Sequence, residues 1–343
     1  MKRWTRSARR ALCAFPPPPQ DLRAFWRGRR RQLASAATLV RVFYACLFFI
    51  LIGFYNDWDR WLKHTSFELL WPVWWFNWTG PKVGVALVVF GAPMAAFAAM
   101  VWPHVRIARF AAAVGILMFA AFFNSFGMTM HGLHGWLWVA ALFVPLPDGC
   151  VERVASSTTR AQRYLRVFWS AQAALLLFYS LSGVFKVAAA VEQWSHGQVH
   201  ALAPEALARH TAYRLMEGAT ISEFTAGPLI ANHPWIGYPF FLTAIFLETF
   251  SFLVAFRPTL HRYWALGVIL MQIGIFFTLT IMFTWHILVV ALVIVCSPFA
   301  PQQAQLWAVV RQFPVIGDLL AWRERRTGRY QTWVEPGPAA APR

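Results

Sequence analysis

The 343-residue chain is 58% hydrophobic and only 13% charged, with 19 Trp, 31 Phe and a mean hydropathy of +0.47. That is more apolar surface than a single water-soluble core can bury. Its formal charge of +17 falls in short clusters between apolar runs, as membrane orientation signals do, which excludes a nucleic-acid surface.

Residues 1–33 form a basic tail whose apolar piece is interrupted by a proline run, so no secretory signal is expected and the tail reads as cytosolic. At about 20 residues per crossing, the next 266 positions divide into eight apolar segments: 34–56, 82–102, 109–128, 132–147, 167–190, 235–256, 263–282 and 284–299. The fourth and eighth are short. The fold class is therefore all-α: a polytopic integral membrane helical bundle of about eight transmembrane helices, with a transmembrane domain over 34–299, an outer loop at 192–234 and an interfacial tail at 300–343. The cysteines Cys13, Cys46, Cys150 and Cys296 have no CxxC spacing and imply no disulfide framework.

Loop charge fixes the expected orientation. With both termini cytosolic, 24 of the 31 basic residues lie on the cytosolic side, in the two tails and around Arg106, Arg109, Arg153, Arg160, Arg163, Arg166, Arg257 and Arg262. The opposite loops are neutral or acidic. Residues 57–82 set Asp57, Asp59 and Glu68 against Arg60, Lys63 and Lys82, and their tryptophans read as an interfacial belt.

Span five, VFWSAQAALLLFYSLSGVFKVAAAV, contains Lys186 and no acidic residue. An amine in an apolar span costs several kcal/mol unless it reaches a partner, water or the interface. Two readings follow: Lys186 is a site residue, or it snorkels from the outer end of its helix to headgroups. His131 and His134 open span four and His286 opens span eight on the same side, so four titratable groups are expected near one leaflet.

Arg41 and Glu248 lie deeper, at similar depths by helix rise, and an ion pair between them is expected. The alternative has Arg41 snorkelling and Glu248 protonated or bonded to Thr249 or Ser251. His131 with His134, and His196 with His200, have helical spacing for a metal or haem, but no Cys or carboxylate completes a ligand set, and no metal is expected. The stretch PEALARHTAYRLME in the outer loop reads as an amphipathic lid or as a solvated connector.

The run FYSLSGVFKV followed by WSHG, the arginine-bearing LVRVFYACLFFILIGFYNDWDRW, the histidine-led HGWLWVAALF and Glu248 in span six together resemble the HTTM membrane domain, the bacterial relatives of vitamin K-dependent gamma-carboxylase. The resemblance implies a multi-pass protein of the cell membrane, in bacteria the inner membrane. It implies a carboxylase- or epoxidase-like enzyme of the lyase class with a reduced, vitamin K-like quinone. Lys186 would be its base, His134 and His131 orienting donors, and Trp194, Tyr179 and His286 substrate-binding residues. Burial can keep an amine neutral enough to act as a base, and a phenolate formed from the quinone needs shielding from water.

The expected partners are the lipid bilayer and a lipid quinone. The short tail TGRYQTWVEPGPAAAPR stands where the carboxylase continues into a large lumenal region. Carboxylation of a protein glutamate is therefore not expected without a separately encoded soluble subunit. The competing reading is a non-catalytic membrane carrier or assembly partner with a lipid-binding cavity.

Overall fold

The computed structural model describes residues 30–57, 68–126, 131–198, 200, 202–216, 226–301 and 304–326. Most of the basic N-terminal tail, Asp59 and much of the tryptophan-rich segment, and the last 17 positions lie outside the described residues.

All eight apolar segments are helical. α1 (Arg30–Gly53) is followed by the short α2 (Phe76–Thr79), then by α3 (Pro81–Val101) and α4 (Arg106–Asn124). Next come α5 (His134–Phe143), the five-residue α6 (Val151–Ala155) and the 38-residue α7 (Thr158–Ser195). The segment 192–234 contributes α8 (Ala206–Met216) and α9 (Gly227–Asn232), and the bundle closes with α10 (Pro234–Val254), α11 (His261–Leu279) and α12 (Thr284–Val290). The tail holds α13 (Leu306–Gln312) and α14 (Ile316–Arg326).

Six of these helices are long and apolar enough to cross a membrane: α1, α3, α4, α7, α10 and α11. α5 has ten residues, and α12 with its π-helical extension Ala291–Val295 makes one twelve-residue helix. At 1.5 Å per residue these two reach about 15 and 18 Å, half of a roughly 30 Å hydrocarbon core. The expected fourth and eighth spans are thus half-length helices packed among six full ones.

Small residues let the helices approach. A Cβ on Gly115 of α4 would lie 3.0 Å from the Ala92 Cα of α3, and Ala96, Ala108 and Ala112 continue that seam. Between α7 and α10 the contact is closer: a Cβ on Gly183 would lie 2.4 Å from the Thr249 backbone nitrogen. One turn earlier, the Ser180 hydroxyl accepts a 2.7 Å bond from the Phe252 backbone N–H. The core is aromatic, with Phe43 stacked on Trp136 and Phe143 on Phe168.

The polar residues inside the bundle act as ties. In the π turn, Cys296 N–H reaches back five residues to Ala291 O, and the carbonyl of Val293 receives a 2.6 Å bond from buried Gln172 of α7. Trp136 Nε1 of α5 donates to Trp285 O at the start of α12. Arg109 is wholly buried; its guanidinium donates to Pro103 O, Val144 O, Leu146 O and Asp148 Oδ1, locking α4 to the turn after α5.

That turn lies on the face where Arg30, Arg106, Arg160 and Arg257 gather, called here the basic face. The tail docks there too. Arg257 donates to Gln312 O and pairs with Asp318, and Phe313 packs on Trp264. Leu306, Trp307, Ile316, Leu319 and Trp322 stay exposed, an apolar stripe suited to a membrane interface. On the opposite face, α8 and α9 cover the ends of α10 and α11 through Leu207, Ala208 and Ile230, so this part of the 192–234 segment is a packed cap and not a solvated connector.

Candidate functional site

The four-residue rhythm of FYSLSGVFK sets up the site. Tyr179, Gly183 and Lys186 stand at i, i+4 and i+7 on α7, one face of a helix. Gly183 lets α10 close to near contact with that face, and Glu248 beside it meets Lys186. The Lys186 Nζ lies 2.6 and 2.7 Å from the two Glu248 carboxylate oxygens. The Glu248 side chain is 7% exposed and that of Lys186 43%, so the acid is enclosed and the stem of the amine is open on one side.

This corrects two expectations. Arg41 does not reach Glu248; it is exposed on α1, close enough to Tyr164 of α7 for the two to interact electrostatically. The helix bearing Glu248 packs on α7 and α11 instead of α1, so equal depth in the layer did not make the two charges neighbours. Thr249 and Ser251 do not bond Glu248 either: the Ser251 hydroxyl donates to Leu247 O and accepts from Trp264 Nε1. Lys186, in turn, is not an isolated amine. It precedes the end of α7 by about 13 Å of helix, and Glu248 precedes the end of α10 by about 9 Å.

Two turns from Lys186 toward the basic face, Tyr179 begins a second cluster. Its hydroxyl accepts from Gln272 Nε2 of α11 and keeps its own proton to donate. The Tyr179 ring lies 6.2 Å from His286 of α12, His286 lies 5.8 Å from Phe178, and Phe178 lies 6.2 Å from His134 of α5. His131 follows, 5.4 Å from His134. The half-length helices explain this placement. α5 and α12 begin level with Phe178 and Tyr179, about 10 Å short of Lys186, so their leading histidines sit inside the layer beneath the ion pair.

His134 and Lys186 therefore share one wall of α7 without facing each other directly. Trp194 is 73% exposed in the last turn of α7 and is not drawn into the cluster, because the helix carries it about 12 Å past Lys186. Gln272 was not singled out from the sequence, although an amide in the middle of an apolar span is the kind of residue that marks a polar interior. Thr280, which ends α11 near Phe283 and His286, holds φ +58°, a strained left-handed backbone for a β-branched residue.

Three buried polar atoms around the cluster have no hydrogen-bond partner: His286 Nε2, Gln272 Oε1 and Thr249 Oγ1. Orphaned groups of this kind cost about 1–3 kcal/mol each in a dry interior unless something meets them. One donor-or-acceptor imidazole, one acceptor amide and one hydroxyl can serve a ligand that has both a hydroxyl and a carbonyl-like oxygen. No family model, characterised protein or solved structure matches this chain.

Proposed function

We propose that this chain is a membrane enzyme acting on a reduced quinone-like lipid, with the Lys186–Glu248 pair as its proton-handling group and Tyr179, Gln272, His286 and His134 as the groups that hold the head. The observation that carries the reading is an ion pair inside the helical layer with the unpartnered Thr249 hydroxyl next to Glu248, and with unpartnered Gln272 Oε1 and His286 Nε2 two turns farther along α7. A reduced quinone, when bound, would supply the phenolic proton and the reducing electrons.

The residues have complementary tasks in this reading. Glu248 lies within 2.7 Å of Nζ and can take the proton that the Lys186 ammonium gives up, turning a charged pair into a neutral one with no change in net charge. The neutral amine then accepts a proton from a hydroxyl brought next to it. Gln272 and His286 offer an acceptor and an imidazole nitrogen for the head oxygens, and Phe178 with the Tyr179 ring gives them apolar walls. The apolar outer surface of α7, with Phe185 68% exposed, suits the approach of a lipid tail.

One observation favours a different reading. Both carboxylate oxygens on one amine also make a strong structural clasp, which suits a non-catalytic carrier or assembly partner. Purification in native lipid followed by mass spectrometry separates the two. A co-purifying quinone, lost in a Gln272→Leu/His286→Leu variant that still folds, supports the enzyme reading. A quinone-free protein with no uptake of added reduced naphthoquinone contradicts it.

A further inference from the structure

On the basic face, away from the ion pair, lies a cavity of about 370 Å³ lined by Pro147, Asp148, Gly149, Arg153, Arg160 and Arg163. We infer that this cavity is a binding site for a phosphate-bearing anion held by the three arginines. It does not depend on the function proposed for Lys186.

The charge balance is the first argument. Asp148 is the one acid in the lining, and its carboxylate is already met at 3.1 Å by buried Arg109. Glu152 is next to Arg153 in sequence, but its carboxylate accepts from its own backbone N–H and from the Cys150 thiol, which hold its pKa below the usual carboxylate range. No carboxylate among the described residues pairs with Arg153, Arg160 or Arg163. Three guanidiniums therefore face one space with no counter-charge of their own.

The three guanidiniums also repel one another and the start of α7. Arg160 lies in the first turn of a 38-residue helix, where Ser157 caps its N–H, and Arg163 lies one turn on, so both sit toward the positive end of the helix dipole. Cations there repel the dipole, and an anion relieves both repulsions at once. Arg160 and Arg163 stand three residues apart on one side of α7, and Arg153 faces them from α6.

The site is also held in shape. Gly149 adopts φ +111°, and a Cβ there would meet the Arg153 side chain at 3.2 Å, so the turn and the arginine stem pack together. Gly149 N–H bonds His104 O at 3.2 Å, and Arg109 grips the preceding carbonyls of Val144 and Leu146. The turn that walls the cavity is thus fastened to α4 before any ligand arrives. Guanidinium forks suit phosphate oxygens in geometry and charge. An anionic phospholipid headgroup and a free phosphate compound both present that chemistry.

Native mass spectrometry on the full-length protein in neutral detergent tests the inference, with dioctanoyl phosphatidylglycerol, dioctanoyl phosphatidylcholine and inorganic phosphate as separate probes. Phosphatidylglycerol is expected to bind saturably, about tenfold more weakly in Arg160→Gln/Arg163→Gln. An Arg166→Gln control, altered on the same helix outside the cavity, should bind like wild type. Saturable binding of inorganic phosphate alone, lost in the same double variant, also supports the site and makes its ligand a soluble anion. Equal binding of phosphatidylglycerol by wild type and double variant, or no binding of either anion, overturns it. Both substituted arginines are exposed, so folding of the variant is checked simply by an unchanged melting curve.

Discussion

Lys186 and Glu248, 62 positions apart in sequence, meet with both carboxylate oxygens within 2.7 Å of the amine. Removing either partner strands the other in an apolar layer. Glu248→Ala and Lys186→Ala are each expected to lower stability by about 1–3 kcal/mol, a range kept modest because the Lys186 side chain is 43% exposed. The paired replacement Lys186→Met/Glu248→Leu is expected to recover most of that loss. Unfolding midpoints of the four proteins in one detergent give the coupling energy by a double-mutant cycle.

The approach of α7 to α10 rests on Gly183. A Cβ there would lie 2.4 Å from Thr249 N and 2.7 Å from Thr249 Oγ1, so Gly183→Val must push the helices apart. The expected cost is about 1–3 kcal/mol, with loss of the Lys186–Glu248 contact. Gly91 of α3 is the contrast: nothing lies within 4 Å of its added Cβ, and Gly91→Ala is expected to be neutral or stabilising by about 0.5–1 kcal/mol. Melting curves of the two variants, measured side by side, read the difference.

Much of this was legible in the sequence. The eight apolar segments are all helical, and Tyr179, His286, Phe178, His134 and His131 form one run of ring contacts, while Lys186 stands about 10 Å farther along α7 against Glu248. Their spacing told which face each residue occupied. What spacing cannot tell is which helices are neighbours, and there the reading of Arg41 failed: two charges at equal depth on α1 and α10 are separated by the bundle, while the amine on α7 is one glycine away from the acid. Depth arithmetic also assumed that each apolar segment spans the layer. The half-length α5 and α12 broke that assumption and set His134 and His286 level with Phe178 and Tyr179. By sequence Arg109 reads as an orientation charge, because nothing local distinguishes an arginine at a helix start that faces lipid headgroups from a buried one that donates to three backbone carbonyls and Asp148.

Arg109 should therefore behave as a core residue. Arg109→Met leaves the carbonyls of Pro103, Val144 and Leu146 without this donor inside the fold, and a loss of about 2–4 kcal/mol is expected. Arg109→Lys is expected to rescue less than half, since one ammonium cannot span acceptors set for a planar fork. Chemical denaturation of the reconstituted protein measures both.

The head-holding groups should separate binding from folding. Gln272→Leu removes the amide that donates to the Tyr179 hydroxyl, and His286→Leu removes the unpartnered Nε2. Each is expected to weaken retention of a reduced naphthoquinone by about tenfold, roughly one charge-free hydrogen bond in a dry site, while melting points shift little. Quenching of tryptophan fluorescence during quinone titration gives the dissociation constants.

The most direct measurement is oxygen uptake by reconstituted protein supplied with a reduced naphthoquinone, comparing wild type with Lys186→Arg. Arginine keeps the positive charge and can still pair with Glu248, but its guanidinium does not give up a proton in proteins. Quinone-dependent uptake in the wild type, with loss of at least about a hundredfold in a folded, quinone-retaining Lys186→Arg protein, is the expected result. Equal uptake by the two proteins, or none by the wild type, would contradict a proton-transferring role for the Lys186–Glu248 pair.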